Sequence, residues 1–215
     1  MRRRSYFTSS YTGILILINT IAFLIFLILI NSLGENNVLP FVALQPAAAL
    51  SGKYLWTFLT SMFLHAGLGH LFVNMVSLMF IGSFVERLIG KKRFLWFYLA
   101  SGLFAGILFV ALSALTGSGI NAYAVGASGA IFGLGGLLAV LTPKLPVLVF
   151  FIIPMPMWIA MIFLLGGLWV LSLGLGLPIG NTAHLGGLIV GLVYGFYLRV
   201  KYPQKTRMIR RYFSR

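Results

Sequence analysis

A serine, an asparagine and three histidines are the side chains of this sequence whose types and spacing could carry out chemistry. His65, His70, Asn74, Ser128 and His184 each lie within or beside a long apolar run. Polar side chains are costly in hydrocarbon, so they usually face a bundle interior or water and mark a functional site. A histidine within hydrogen-bond reach of a serine hydroxyl can take its proton and activate the oxygen as a nucleophile.

The local sequence around His70, Asn74 and Ser128 is compatible with a site in which a serine is activated as a nucleophile. His70 and Asn74 are four residues apart, which places them on one face of a helix. A polar contact between helices is the alternative role for this pair. Ser128 lies in the segment 126–129, of sequence GASG, at the start of a predicted helix. The free N–H groups and the positive dipole end of a helix start are suited to stabilising an oxyanion.

Glycines repeat at intervals of four residues in two apolar runs, which is typical of helix faces that pack closely in membranes. They are Gly129 and Gly133 in one run and Gly187, Gly191 and Gly195 in the other. If the two faces meet, Ser128 and His184 come together, because each lies beside its own repeat. Helix packing alone is the simpler role of the same glycines.

The acidic residues limit the form of a catalytic unit. The chain has only two, Glu35 and Glu86, and neither is an aspartate. Glu86 is predicted at the far end of its helix from His70, and Glu35 lies in a loop with no spacing that relates it to His184. The sequence therefore predicts a Ser128–His184 dyad and not a triad with an acid.

A zinc site is the alternative use of the three histidines. It is disfavoured because His65 and His70, five residues apart, point in different directions on a helix, and no carboxylate or cysteine lies near them. Neither a metal nor another cofactor is predicted.

The composition identifies lipid as the main solvent of the chain. Charged residues make up 8% of the sequence and hydrophobic residues 60%, and the mean hydropathy is +1.02. Soluble domains carry about 25% charged residues. The formal charge of +14 would suit nucleic acid, but the basic residues cluster beside apolar runs, so no nucleic-acid partner is predicted.

The apolar runs predict an all-α, polytopic membrane protein, a six-transmembrane-helix bundle in a single domain of residues 1–215. The predicted helices cover about residues 11–31, 68–88, 94–115, 126–141, 156–174 and 181–200. The first run is too long for a signal-peptide core and is interpreted as a retained helix. The connection at about 32–67 is too apolar for a solvated loop and too interrupted to span, which predicts an interfacial segment. The basic tail 201–215 is predicted to anchor the last helix at an anionic surface.

The basic residues predict the orientation, because Lys and Arg concentrate in cytoplasmic connections. Of the sixteen, all except Lys53 fall on one side of the predicted bundle. They are Arg2, Arg3, Arg4, Arg87, Lys91, Lys92, Arg93, Lys144, Arg199, Lys201, Lys205, Arg207, Arg210, Arg211 and Arg215. Both termini are therefore predicted to be cytoplasmic. His70, Asn74, Ser128 and His184 are predicted to share one depth toward the outer side of the cell membrane.

Four segments resemble the motifs of the rhomboid family of intramembrane serine proteases. The segment 65–70, HAGLGH, followed by Asn74 resembles the family's pattern at the start of its second helix, and GASG at 126–129 resembles its nucleophile motif. The segment 183–191 resembles the A-H-x-x-G-x-x-x-G of its sixth helix. The matches to its G-x-x-x-E-x-x-x-G are Gly82, Glu86 and Gly90. The resemblance covers about residues 50–200, in the family's order.

The resemblance implies a serine endopeptidase that cleaves transmembrane segments of other membrane proteins near their outer ends. Ser128 would be the nucleophile and His184 the general base and acid. The oxyanion hole would consist of His70, Asn74 and the Ser128 backbone N–H, and 32–67 would be the family's first loop. Supporting roles would fall to Gly126, Gly129 and Gly187, and structural roles to Glu86 and Arg87.

Phe132 departs from the family's pattern. Members often carry a tyrosine four residues after the nucleophile, where it stacks on the catalytic histidine. A phenyl ring keeps the stacking and loses the hydroxyl, so His184 is still expected to be oriented.

Two other classes of function are weighed against a protease. A non-catalytic adaptor that binds client helices is disfavoured by the intact pair of Ser128 and His184. A small-molecule or metal transporter is disfavoured because the polar groups do not recur in two inverted halves.

Overall fold

The computed structural model describes residues 10–150, 152–175 and 180–213, most of which are helical. The helices are α1 (Tyr11–Leu33), α2 (Glu35–Val42), α3 (Pro46–Leu50), α4 (Thr57–Thr60), α5 (Leu68–Ser77), α6 (Ser83–Ile89), α7 (Lys91–Thr116), α8 (Ser128–Leu141), α9 (Met157–Leu175), α10 (Asn181–Lys201) and α11 (Pro203–Tyr212). A π-helical segment, Leu78–Gly82, joins α5 and α6 into one continuous helix. The predicted basic N-terminus at residues 2–4 and Arg215 lie outside the described residues.

Within the described residues, five helices are long and apolar enough to cross a membrane, and α8 is a shorter apolar helix. The five are α1, α5 with α6, α7, α9 and α10. The 14 residues of α8 rise about 21 Å, less than the roughly 30 Å hydrocarbon core of a bilayer. Twelve of its residues are buried, so α8 forms the centre of the bundle. The predicted polytopic helical bundle is confirmed, and its fourth helix is shorter than a full span.

The helices α8 and α10 pack against each other along their glycine faces. A Cβ atom at Gly187 would overlap the carbonyl oxygen of Gly129, and one at Gly191 would overlap the carbonyl oxygen of Gly133. Only glycine allows two helix backbones to approach this closely. The contact brings the first turns of α8 and α10 side by side.

The segment predicted to be interfacial folds into the short helices α2, α3 and α4 and a 3-10 turn, Ser61–Phe63. It is tied by hydrogen bonds to the chain that precedes α8. Leu44 and Ala124 exchange two backbone hydrogen bonds, and the Gly126 N–H donates to the Ser61 carbonyl oxygen at 2.9 Å. This segment therefore holds the turn that leads into α8.

Two elements lie outside the predicted helices. An antiparallel hairpin of β1 (Pro146–Val149) and β2 (Ile153–Pro156) connects α8 to α9. The region predicted as a basic tail forms α11, which begins with Pro203. Proline suits the first turn of a helix, because its fixed φ angle is helical and its missing N–H would have no partner there.

Glu86 joins the end of α6 to the start of α1. Its carboxylate accepts hydrogen bonds from the Ser10 hydroxyl, the Tyr11 N–H, and the N–H and hydroxyl of Thr12, at 2.6–2.9 Å. A carboxylate at a helix start satisfies free N–H groups and complements the helix dipole. The neighbouring Arg87 donates to the Ser83 carbonyl oxygen of its own helix and takes no part in this contact.

We expect Glu86→Gln to lower the free energy of unfolding by about 2 kcal/mol, because hydrogen bonds to a charged acceptor are stronger than those to an amide. Thermal unfolding of the purified protein in a neutral detergent measures the change. Glu35→Gln is the matched control, since Glu35 is exposed, and it should leave the stability unchanged. Equal stability of Glu86→Gln and the wild type would contradict the structural role of this carboxylate.

Candidate active site

Ser128 is the first residue of α8, and the turn before it fixes its position. Gly126 has a φ angle of 128°, a conformation that is strained for residues other than glycine. A Cβ atom at Gly126 would also lie 3.0 Å from His70 Nε2 and 3.6 Å from Ser128 Oγ. Ser128 is half-buried and lies among the N–H groups of the first turn of α8, which lack partners within the helix.

His184 lies in the first turn of α10, directly opposite Ser128. Its ring nitrogen Nε2 is 2.7 Å from Ser128 Oγ, and the residue is 7% exposed. Its backbone N–H donates to the Gly180 carbonyl oxygen, which fixes the helix start. An imidazole nitrogen without a proton accepts a hydrogen bond from a hydroxyl at this distance.

Phe132 stacks on the His184 ring from one turn further along α8. The ring centroids are 4.5 Å apart and the planes are inclined by 13°. Because Phe132 is itself buried, the contact limits rotation of the imidazole and keeps its edge toward Ser128.

His70 and Asn74 lie on the neighbouring face of α5. The Ala66 N–H donates to His70 Nδ1 at 3.4 Å, which leaves His70 Nε2 to carry the proton of a neutral ring. That nitrogen faces the turn at Gly126. Asn74 is buried, and its Nδ2 donates to the His70 carbonyl oxygen at 2.9 Å. An amide group has a second N–H, so Asn74 retains a donor beside the site.

His65 lies behind His70; sequence reasoning placed it in the HAGLGH motif and weighed it as a metal ligand, but gave it no role in the catalytic unit. Its fully buried ring packs edge-on against His70, with the ring centroids 5.1 Å apart. Burial, together with the nearby His70, lowers the pKa of His65 to about 3, so the ring is neutral at physiological pH. The nearby backbone of Phe63 opposes part of this decrease. Within the part of the chain that the structure describes, no three His, Asp or Glu side chains come together as a metal site.

The carboxylates and Arg87 lie apart from this group. Glu86 contacts the start of α1, and Glu35 is exposed at the start of α2. Among residues 10–150, 152–175 and 180–213, His184 Nδ1 has no hydrogen-bond partner. The site therefore brings a serine and a histidine together, with two further polar residues, His70 and Asn74, beside them.

Comparison with known proteins agrees with the class that this fold and site indicate. A model of the rhomboid domain matches residues 52–201. The chain is 39% identical over 151 residues to RHOMBOID-like protein 2 of Arabidopsis thaliana, covering 69% of this chain and 44% of that protein. It is 31% identical over 186 residues to Rhomboid protease GluP of Bacillus subtilis, covering 85% of this chain and 33% of that protein. This chain belongs to the rhomboid family.

A third relative carries the word mitochondrial in its name. Rhomboid protein 1, mitochondrial, of Saccharomyces cerevisiae is 32% identical over 154 residues, covering 70% of this chain and 43% of that protein. The chain spans about a third to a half of the length of the curated relatives that it matches.

Proposed function

We propose that this chain is an intramembrane serine endopeptidase that hydrolyses peptide bonds in or near transmembrane segments of other membrane proteins. The observation that carries the proposal is the 2.7 Å separation between Ser128 Oγ and His184 Nε2 at the adjoining starts of two helices. Family membership and the printed name of one relative, a rhomboid protease, support it.

In the proposed reaction His184 acts as general base and then as general acid. Ser128 Oγ attacks the carbonyl carbon of the scissile bond while its proton passes to His184 Nε2. The tetrahedral intermediate collapses, Nε2 returns the proton to the leaving amine, and an acyl ester remains on Ser128. Water then attacks the ester, His184 takes the proton from the water, and Ser128 regains it as the carboxylic acid product leaves.

The oxyanion of the tetrahedral intermediate requires hydrogen-bond donors that lie beside the start of α8. We assign this role to His70 Nε2–H, the Asn74 amide and the Ser128 backbone N–H. The Ala66 N–H that donates to His70 Nδ1 supports the assignment, because it favours the tautomer with the proton on Nε2. Loss of one such donor typically costs about 10²- to 10³-fold in kcat, and we expect that range for Asn74→Ala.

The central position of α8 supports a site beneath the membrane surface. A 14-residue helix does not cross the hydrocarbon core, and α8 ends beside the exposed Lys144. Its other end, at Ser128, therefore lies inside the bundle. We propose that this end opens toward the non-cytoplasmic side of the cell membrane, that both termini are cytoplasmic, and that water reaches Ser128 from outside.

Cleavage of a single-span membrane protein by the purified chain tests the proposed function. The substrate carries small residues near the outer end of its span, and the products are identified by mass spectrometry. The wild type should cut it, whereas His184→Ala should be inactive because no base remains for Ser128. Full activity of His184→Ala, or an inert wild type that retains the substrate as an adaptor would, contradicts the proposal.

Phe132 should affect turnover through the orientation of His184. We expect Phe132→Leu to lower kcat roughly tenfold, less than the 10²- to 10⁴-fold contribution of a general acid–base residue because His184 itself remains, with a smaller change in KM. Phe132→Tyr keeps the stacked ring and is the matched control, for which activity close to the wild type is expected. Steady-state kinetics on the same substrate separate the two parameters, and an unchanged kcat for Phe132→Leu would show that the ring does not orient His184.

A further inference from the structure

The end of the bundle that carries Arg87–Arg93 and Arg199–Arg211, here called the basic end, has a single side-chain carboxylate, Glu86, beside its basic residues. The chain has 16 basic and 2 acidic residues. Glu86 is occupied by the start of α1, and Glu35 follows the other end of that 23-residue helix, about 34 Å away. Anions from outside the chain must therefore balance most of the charge at this end.

The helix α11 lies across the basic end in the manner of a helix at a membrane surface. Thr206 is buried against the bundle, and Phe213, just after the helix, packs edge-on against Phe84 with ring centroids 5.7 Å apart. The outward side carries Met208 and Tyr212, which are 73% and 76% exposed. A basic helix that also exposes apolar side chains is typical of a segment at the boundary between headgroups and acyl chains.

A cavity of about 230 Å³ lies between α11 and the ends of the other helices. Its walls include the apolar residues Leu88, Leu141, Leu198 and Ile209. Arg93 and Lys205 also line it, together with Thr206 and the Tyr202 ring, over which Lys205 Nζ lies at 5.9 Å from the centroid. Two cations at one cavity repel each other, and an anion between them would offset that repulsion.

An apolar groove runs along the outer faces of α7 and α10, and its end at Tyr197 lies near the cavity. Its lining consists of Phe104, Ile189, Val190, Val193, Tyr194 and Tyr197. At its basic end, Lys201 donates a 2.7 Å hydrogen bond to the Tyr197 hydroxyl. Lys201 Nζ also lies 5.8 Å from the centroid of the Tyr202 ring, which lines the cavity. The groove therefore suits an acyl chain whose headgroup lies in the cavity lined by Arg93 and Lys205.

We propose that the basic end holds an anionic phospholipid, with its phosphate between Arg93 and Lys205 and an acyl chain in the groove between α7 and α10. Charge complementarity selects an anionic headgroup, and the apolar groove beside it selects a lipid over a soluble anion. The site is separate from Ser128, and the proposal does not depend on the proposed protease activity.

The test compares lipid binding by two double variants that remove the same charge. Delipidated full-length protein in a neutral detergent is titrated with phosphatidylglycerol or with phosphatidylcholine of the same acyl chains, and bound lipids are counted by native mass spectrometry. Arg93→Gln/Lys205→Gln removes both cations of the cavity. Lys92→Gln/Arg207→Gln is the matched control, because these exposed residues do not line the cavity. Thermal unfolding establishes that both variants are folded.

We expect the wild type to bind one phosphatidylglycerol at least tenfold more tightly than phosphatidylcholine. The cavity variant should lose roughly 30-fold in affinity, since each basic residue near an anionic surface contributes about fivefold, and the control should lose less than about threefold. An equal loss of affinity in both variants would show that lipid binding depends on the overall positive charge and not on the cavity, and would overturn the proposal. Equal binding of phosphatidylcholine, or displacement of the lipid by excess inorganic phosphate, would overturn it as well.

Discussion

Replacing Ser128 with alanine is expected to abolish peptide hydrolysis while the helical bundle stays folded. The hydroxyl is the proposed nucleophile, and no acyl ester can form without it. Removing a nucleophile that acts together with a base lowers kcat by several orders of magnitude, and we expect a loss of at least about 10⁴-fold. Cleavage of the single-span substrate under single-turnover conditions measures the loss.

The matched control for Ser128→Ala is a second serine, whose side chain packs against Gly133 of α8. Ser101 on α7 is buried, and among the described residues its hydroxyl has no hydrogen-bond partner. Ser101→Ala should therefore retain both the fold and the activity. Residual cleavage by Ser128→Ala well above about 10⁻⁴ of the wild-type rate would contradict the assigned nucleophile.

Replacing Gly187 with alanine is expected to destabilise the bundle by about 3 kcal/mol or more. The added Cβ atom would overlap the carbonyl oxygen of Gly129 and lie 3.2 Å from the Gly133 nitrogen. Both are backbone atoms, so the overlap can be relieved only if α8 and α10 move apart. The free-energy cost of that movement exceeds the usual cost of overpacking against mobile side chains. The same movement separates Ser128 from His184, so activity should fall together with stability. Thermal unfolding in detergent and substrate cleavage measure the two effects.

The chain provides a matched glycine for this prediction. A Cβ atom at Gly166 on α9 would meet no atom within 4 Å, and alanine favours helix over glycine by up to about 1 kcal/mol. Gly166→Ala should therefore be neutral or slightly stabilising. If Gly187→Ala were as stable as Gly166→Ala, the close contact between α8 and α10 would not be a determinant of the fold.

The sequence was sufficient to predict the helical bundle, because long apolar runs in a chain with few charges have one main structural solution in lipid. The glycine repeats also indicated which two helices approach closely. The structure agrees in the contact between Gly187 and Gly129. It follows directly from that contact that Ser128 and His184 are neighbours.

Other features depend on contacts that no local pattern specifies. The His70 ring packs against Gly126, and the His65 ring packs behind His70. Both positions depend on the path of the chain between α1 and α5. That path is set by hydrogen bonds between residues far apart in sequence, such as Gly126 with Ser61. The hairpin β1–β2 is a short apolar run, which periodicity alone cannot distinguish from part of a helix.

The region after α10 was predicted only as a basic tail. This region is rich in basic residues. It has few apolar residues to indicate a packed helix, among them Ile209 and Phe213. A helix of ten residues is marginal by itself, so its presence depends on contacts with the bundle such as that between Phe213 and Phe84. The cavity at Arg93 and Lys205 exists only because α11 folds back.

Covalent labelling with a fluorophosphonate, followed by mapping of the modified residue by mass spectrometry, tests the proposed Ser128–His184 pair most directly. The reagent reacts with a serine only when a base activates it, and it needs no knowledge of the natural substrate. We predict one adduct per wild-type chain, located on Ser128, lost in Ser128→Ala and strongly reduced in His184→Ala. Undiminished labelling of Ser128→Ala, or an adduct on another residue of the wild type, would contradict the account.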